Sequence, residues 1–287
     1  MIYINKCKQT DLVQNATVAC QGVQGAFSQI AANAAFKEPK ITYMRTFDGV
    51  FRAVDKGLCK YGILPLENSN AGSVTAVYDL MKTYNFYIVR SVKVSVSHML
   101  LANKKIDIKN IKEIYTHEQA ASQCSKFIEE NPHINLKICG NTAAAAQFVA
   151  ESGRFDIAAI ASENCVELYN LTVIQKEVQN NKNNFTRFIC ISKECEILDS
   201  ADKISLMLTL EHKAGALYEV IHQFADLNLN LLKLESRPIS GTDFEFMFYF
   251  DVQANIENDD VYNLILKLKE TTINTVFLGN YRETDAL

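Results

Sequence analysis

Read from its amino acids, the chain predicts an α/β protein: two lobes, each a strand-and-helix unit, followed by a smaller βαββαβ domain. Three observations carry this. Short apolar runs alternate with helical stretches between Thr17 and Tyr169, and the pattern occurs twice, on either side of the extended stretch Tyr87 to Leu101. An asparagine-rich run, residues 179–184, leads back into an apolar strand at Thr186, so the chain passes between the lobes twice. A charge-rich segment, 193–202, then separates residues 203–287, which read as strand, helix, two strands, helix and strand.

In the first lobe, strand Thr17 to Gln21 runs into Gly22 and Gly25, which turn the chain into a helix from Ala26 to Phe36. Ser28 sits in the first turn, where free N–H groups and the positive dipole end suit an anion. The G-x-G-x-x-G spacing of a dinucleotide site is absent. Strand Lys40 to Met44, helix Thr46 to Lys56 and strand Tyr61 to Leu64 follow, the last closed by Pro65. Glu67, Asn68 and Ser69 gather at its carboxyl end, where open α/β sheets bind ligands. They read as substrate-binding groups or as an Asx-type turn. Gly72 and Ser73 start helix Val74 to Tyr84.

In the second lobe, strand Glu113 to Thr116 leads to His117, Gln119 and helix Ala120 to Glu130. His117 is placed for proton transfer or as a helix cap. Strand Leu136 to Cys139 leads to Thr142, expected to cap helix Ala143 to Ala150. Strand Asp156 to Ala161 leads to Ser162, a second expected cap, then helix Glu163 to Tyr169 and strand Leu171 to Gln175. Lobe 1 is thus residues 17–94 and 179–194, and lobe 2 is 95–178. Two crossings make a hinged cleft, similar to the periplasmic-binding-protein architecture.

After the linker at 195–202 come strand Ile204 to Leu210, helix Gly215 to Leu227 and strand Leu229 to Pro238. A turn at Ser240 to Asp243 joins the last to strand Phe244 to Val252; helix Asp259 to Lys269 and strand Asn274 to Leu278 complete a split ferredoxin-like unit. The apolar strand Leu229 to Leu234 is an edge that needs covering.

Composition limits the functions open to the chain. Its 287 residues predict about two domains with a sizeable core. Hydrophobic and charged contents of 48% and 22% are ordinary for a globular protein. A net charge of −4 with no basic block disfavours nucleic acid. Apolar runs fall short of the roughly 18 residues that span a membrane. Residues 1–16 are a polar extension without a signal-peptide core, and too short for a further helical domain, so a cytoplasmic protein is expected. The eight cysteines then read as reduced thiols, mostly packed in the core. No Cys-x-x-Cys pair occurs and the histidines are scattered, so no metal is expected.

The chemistry centres on Asn184-Phe185-Thr186-Arg187-Phe188, where a polar loop enters a buried strand. A hydroxyl there can be rigidly held and still face a cleft. Alternation puts Thr186 and Phe188 on one face and Arg187 on the other. Arg187 reads as a substrate partner or, on the far face, as a structural ion pair.

Together with Gly22-Val23-Gln24-Gly25-Ala26-Phe27-Ser28, Pro65-Leu66-Glu67-Asn68-Ser69, Gly72-Ser73-Val74, His117-Glu118-Gln119-Ala120, Gly215-Ala216-Leu217 and Glu235-Ser236-Arg237-Pro238, this stretch resembles prephenate dehydratase with a C-terminal ACT regulatory domain. The resemblance runs from about Thr17 to Tyr281. The chain departs from it at Glu118, where relatives have Pro, and at Asn228, where they have Gly. The resemblance implies conversion of prephenate to phenylpyruvate, water and CO2, without metal or organic cofactor. Thr186 is then the catalytic donor. Ser28, Glu67, Asn68, Ser69, Gly72, Ser73, His117, Gln119, Thr142, Arg187 and Phe188 bind substrate. L-phenylalanine is the allosteric effector, bound by Gly215, Ala216, Leu217, Asn230, Leu231, Glu235, Ser236, Arg237 and Pro238 in a homodimer or homotetramer. Two alternatives stay open: arogenate dehydratase, acting on the amino analogue, and a non-catalytic amino-acid-binding sensor.

Overall fold

The computed structural model describes residues 13–239 and 246–286. The turn expected at 240–243 and most of the N-terminal extension lie outside these residues. Lobe 1 opens with β1 (Thr17–Gln21), α1 (Phe27–Ala35), β2 (Lys40–Met44), α2 (Phe47–Asp55), β3 (Tyr61–Asn68), β4 (Gly72–Ser73), α3 (Thr75–Met81) and β5 (Tyr87–Ser95). Helix α1 presses Ala31, Ala32 and Ala35 onto the sheet, since small side chains let the helix approach closely. Thr46 caps α2 by accepting from the Gly49 N–H.

Pro65 was expected to close its strand, yet β3 continues to Asn68. The register slips between Arg187, opposite Glu67, and Phe188, opposite Pro65. This β-bulge accommodates a residue that has no N–H to give the ladder, and it lies beside the cleft.

The chain crosses at Val96–His98 into lobe 2. There follow β6 (Met99–Ala102), β7 (Glu113–Thr116), α4 (Glu118–Gln123), α5 (Ser125–Glu130), β8 (Asn135–Ile138), α6 (Thr142–Glu151), β9 (Ile157–Ala161), α7 (Asn164–Leu168) and β10 (Thr172–Gln175). The long extended stretch is therefore two strands, and the single helix expected over 120–130 breaks at Cys124. Two caps also differ. Asn141, not Thr142, accepts from the Ala144 N–H, and Ser162 donates to the Gly25 carbonyl instead of capping α7. For α6 the neighbouring Asn141 amide oxygen is better aimed, whereas α7 has no side-chain cap and the Ser162 hydroxyl is spent on the other lobe. The lobe 2 sheet is ordered β10-β6-β9-β7-β8.

The chain returns as β11 (Phe185–Ser192), antiparallel between β3 and β5. Segment 193–202 is packed, with Ile197 and Ala201 buried. The C-terminal unit is β12 (Lys203–Thr209), α8 (Ala216–Asp226), β13 (Asn230–Pro238), β14 (Phe246–Gln253), α9 (Asp259–Thr271) and β15 (Asn274–Tyr281), in the sheet order β13-β14-β12-β15 of a ferredoxin-like fold. The fold is thus the two-lobed α/β arrangement with a C-terminal βαββαβ unit. Asn228 adopts φ 52°, the left-handed conformation that ends α8.

A final strand, β16 (Glu283–Asp285), was not expected. It joins the lobe 1 sheet parallel to β5, giving the order β16-β5-β11-β3-β1-β2 with β4 on β3. Met207, Met247, Tyr249, Leu278 and Tyr281 of the C-terminal unit share one core with α2, α3 and the lobe 1 sheet. Among the described residues six cysteines are free. Cys195 is disulfide-bonded, which corrects the expectation that all are reduced. The compartment argument treats every thiol alike and carries no information on which sit side by side. Among the described residues no helix is long and apolar enough to cross a membrane, and no group of side chains is arranged to hold a metal ion.

Candidate active site

A cleft of ≈ 380 Å³ opens between the lobes at the two crossings. The bulged end of β3 supplies Pro65 and Asn68, β11 supplies Thr186 and Phe188, and the start of α1 supplies Ala26, Phe27 and Ser28. From lobe 2 come His117, Gln119, Gly140, Asn141 and Thr142. Two helix N-termini, of α1 and α6, therefore line the cleft from opposite sides.

Thr186 is held by a chain of amides whose orientation is set by the backbone. The Oδ1 of Asn68 accepts from the N–H groups of Asn70 and Ala71 at 3.0 and 2.9 Å. Its Nδ2 must then be the donor, and it reaches Thr186 Oγ1 at 2.9 Å, Asn184 Oδ1 at 2.8 Å and the Phe185 carbonyl at 3.0 Å. Thr186 thus receives a hydrogen bond from Asn68, and its own proton stays available to the cleft.

The chain of amides continues into lobe 2. Asn184 Nδ2 donates to Gln123 Oε1 at 3.1 Å. That oxygen also lies 3.0 Å from His98 Nε2, which must be a donor there. His98 Nδ1 is then a bare lone pair, buried and without a partner. Burial holds the His98 pKa below its ordinary value, though the bond to Gln123 works the other way. The imidazole is neutral at pH 7. The crossing strands are further laced by His98 N–H to Gln179 Oε1 at 2.9 Å and Val96 N–H to the Asn184 carbonyl at 2.8 Å.

The residues expected at the site divide into two groups. Asn68, Thr186, Phe188, Ser28, His117, Gln119 and Thr142 border the cleft. His117 does so as a cap, its Nδ1 accepting from the Gln119 N–H at 3.3 Å. Glu67, Ser69, Gly72, Ser73 and Arg187 are not among the lining residues. Strand alternation turns Glu67 and Arg187 to the far face, where they pair with each other at 2.9 Å. Arg187 also meets Asp251 at 2.5 Å. Burial alone lowers its pKa, but Asp251, Tyr281 and Glu67 together raise it well above the ordinary range. Ser69 ties the loop by bonds to Phe185 and Asn183, and Ser73 donates to Glu235.

The expected effector residues divide in the same way. Glu235 and Arg237 face lobe 1, the latter pairing with Asp79 at 2.9 Å, whereas Ser236 and Pro238 are exposed. Gly215 takes φ 87° before α8 with open space where a Cβ would stand.

Sequence reasoning missed His98, Gln123 and Asn141, and it opened the central stretch at Asn184 without giving that residue a role. The role of Asn184 was masked by the polar run that precedes it, and His98 was hidden in an apolar stretch that reads as one strand. The only available signal was that both lie where the chain changes lobes.

Known proteins resemble this chain in sequence and in fold over most of its length. Residues 18–196 match the family model for prephenate dehydratase. The chain is 33% identical over 273 residues to the bifunctional chorismate mutase/prephenate dehydratase of Escherichia coli, covering 93% of this chain and 71% of that one. It is 34% identical over 286 residues to arogenate dehydratase/prephenate dehydratase 2 of Arabidopsis thaliana, covering 95% and 75%. The prephenate dehydratase of Arthrobacter aurescens, solved with L-Phe, superposes with a TM-score of 0.82 at 27% identity over 92% of this chain and 89% of that one. A protein described as a quorum-quenching acylase, GqqA, superposes with a TM-score of 0.83 at 27% identity over 93% and 98%. With the family model spanning more than half of its length, the chain belongs to the prephenate dehydratase family.

Proposed function

We propose that the cleft carries out the decarboxylating dehydration of prephenate to phenylpyruvate, with Thr186 aiming its hydroxyl at the departing oxygen. The observation that carries this reading is the Asn68–Thr186 contact, which occupies a lone pair of Thr186 and leaves its proton for the cleft. As the bond to the ring carboxylate breaks, its electron pair enters the ring and CO2 leaves. The ring becomes aromatic, the C–O bond breaks with its pair on oxygen, and the departing hydroxide, hydrogen-bonded by Thr186, takes up a proton from solvent to become water, so that Thr186 keeps its own. A fixed donor strengthens as charge grows on that oxygen and is worth about 10²–10³ in rate.

The surroundings suit both ends of the substrate. Phe27, Phe47, Val74 and Phe188 offer the ring carboxylate little solvation, which favours its loss as neutral CO2. The N-termini of α1, with Ser28, and of α6, with Asn141 and Thr142, suit the side-chain carboxylate. His117 and Gln119 border the same space, while Glu67, Ser69, Gly72, Ser73 and Arg187 support it from outside. No carboxylate side chain is among the described lining residues, although the ammonium of arogenate calls for one; this favours the keto acid. Acylase chemistry needs a base beside the nucleophile, and Thr186 has a donor there instead.

The C-terminal unit senses L-phenylalanine at Gly215–Leu217 and the exposed face of β13. Support comes from the A. aurescens relative, solved with L-Phe, and from the open left-handed turn at Gly215 ahead of an uncapped helix. Leu232 and Leu234 are exposed on the edge strand β13, and a second copy that covers them makes a homodimer or homotetramer. The assay is direct. Purified protein supplied with prephenate yields phenylpyruvate, followed by absorbance, faster than arogenate yields phenylalanine. Turnover of neither substrate removes this reading.

A further inference from the structure

The contact that aims Thr186 is gripped from behind by the C-terminal unit. Thr186 and Asn68 stand opposite each other in the β11–β3 ladder, and the next pair along is Arg187 and Glu67. Each of these neighbours is held by a residue of the C-terminal sheet. Asp251 on β14, 1% exposed, meets Arg187 Nη2 at 2.5 Å. Lys233 on β13 meets Glu67 Oε2 at 2.5 Å and Ser73 Oγ at 2.9 Å. Asp251 is itself fixed, accepting from Ser205, whose hydroxyl lies 2.7 Å from Tyr281 OH. Neither Asp251 nor Lys233 lines the cleft.

We propose that Asp251 and Lys233 are positioning residues for Thr186: they clamp Arg187 and Glu67, and through the ladder set the distance between Asn68 and Thr186. The bulge at this point makes the clamp necessary. With the register slipping between Arg187 and Phe188, backbone pairing alone does not fix how Thr186 is aimed. The C-terminal unit is then a structural part of the active site. This inference rests on the assignment of Thr186 as the donor.

Asp251→Asn alone strands Arg187 as a buried unpaired cation and can unfold the protein. The deciding variant of the full chain is Arg187→Met with Asp251→Leu, which removes both charges and keeps an apolar filling. Lys233→Met, at the more exposed end of the clamp, gives the same readout if the double variant does not fold. The expected result is a kcat on prephenate about 10²-fold lower, because small misplacements of a catalytic group cost that much. KM should stay within about twofold, since substrate binding is not touched. A crystal structure of the variant should show the Asn68–Thr186 contact lengthened beyond hydrogen-bond reach. Wild-type kcat in a folded variant, or an unmoved contact, overturns the proposal. The crystallographic arm decides it even if the wild-type protein does not turn over prephenate, and Thr186→Val separately tests the donor assignment.

Discussion

A threonine hydroxyl is a weak acid, and what distinguishes Thr186 is the direction its proton can take. Asn68 cannot flip, because two backbone N–H groups hold its carbonyl end. Thr186→Val keeps the strand preference and the shape but deletes the donor, so turnover should fall by about 10²–10³ in a folded protein. Asn68→Asp is the sharper test. The carboxylate still accepts from Asn70 and Ala71 but now faces Thr186 with an acceptor, which draws the hydroxyl proton away from the cleft. We expect kcat to fall by a comparable factor, about 10²-fold, together with a lower thermal midpoint, because the buried carboxylate also faces the Asn184 and Phe185 oxygens that the amide had satisfied; wild-type kcat would contradict the assigned geometry. His98 makes a prediction about stability. Its folded-state pKa lies below the unfolded value, so below about pH 6.5 the unfolded chain binds a proton that the folded chain refuses. The stability present above that pH should therefore be lost as pH falls. Denaturant titrations of wild type and His98→Gln should show a flatter pH dependence in the variant, and identical slopes would exclude this origin.

Among the elements, β15 and β5 approach so closely at Gly279 that no side chain fits there. Gly279 adopts φ 152°, and a Cβ at that position would collide with the carbonyl oxygen of Ile88. Gly279→Ala should destabilise the protein by about 3 kcal/mol through overpacking against backbone that cannot yield. Calorimetric unfolding checks this, and an unchanged midpoint would mean the two sheets are not in firm contact there. The strands and helices were largely legible from apolar periodicity, and the exceptions have local causes. Pro65 ends strands in general, but the bulge let β3 pass through it. Strand β16 has only Glu283, Thr284 and Asp285, with no apolar signal; the free edge of β5 makes it a strand. Asn141 displaced Thr142 as a cap because cap choice depends on angstrom-scale aim, which composition does not carry.

In the whole molecule, the lobes meet at the laced crossings and, beyond the cleft, where Val23 to Ala26 packs against lobe 2. At the latter, Tyr169 OH donates to the Gln24 carbonyl at 2.7 Å and Ser162 Oγ to the Gly25 carbonyl at 3.1 Å. We expect the lobes to rotate about the crossings, with these two bonds as the latch. Tyr169→Phe should raise KM for prephenate several-fold, on the order of the roughly 1 kcal/mol of one net hydrogen bond, with little effect on kcat. An unchanged KM removes the latch. L-phenylalanine should inhibit the intact protein, and calorimetry that detects no binding would remove the regulatory reading while leaving the cleft chemistry in place.

The sequence by itself determined the two-lobed α/β pattern, the βαββαβ unit after it, and Thr186 and Asn68 as members of one site. Those follow from side-chain periodicity, turn residues and motifs, all of which act over a few residues. Only the tertiary structure decided that Glu67 is the far-face partner of Arg187, that His98, Gln123 and Asn184 join Thr186 through one chain of hydrogen bonds, and that Asp251 and Lys233 stand behind it. These pairings link residues such as Glu67 and Lys233, separated by 166 positions in the chain. The physical reason is that a buried polar group takes whichever partner satisfies it at about 3 Å, and sequence periodicity does not encode that distance across folded layers.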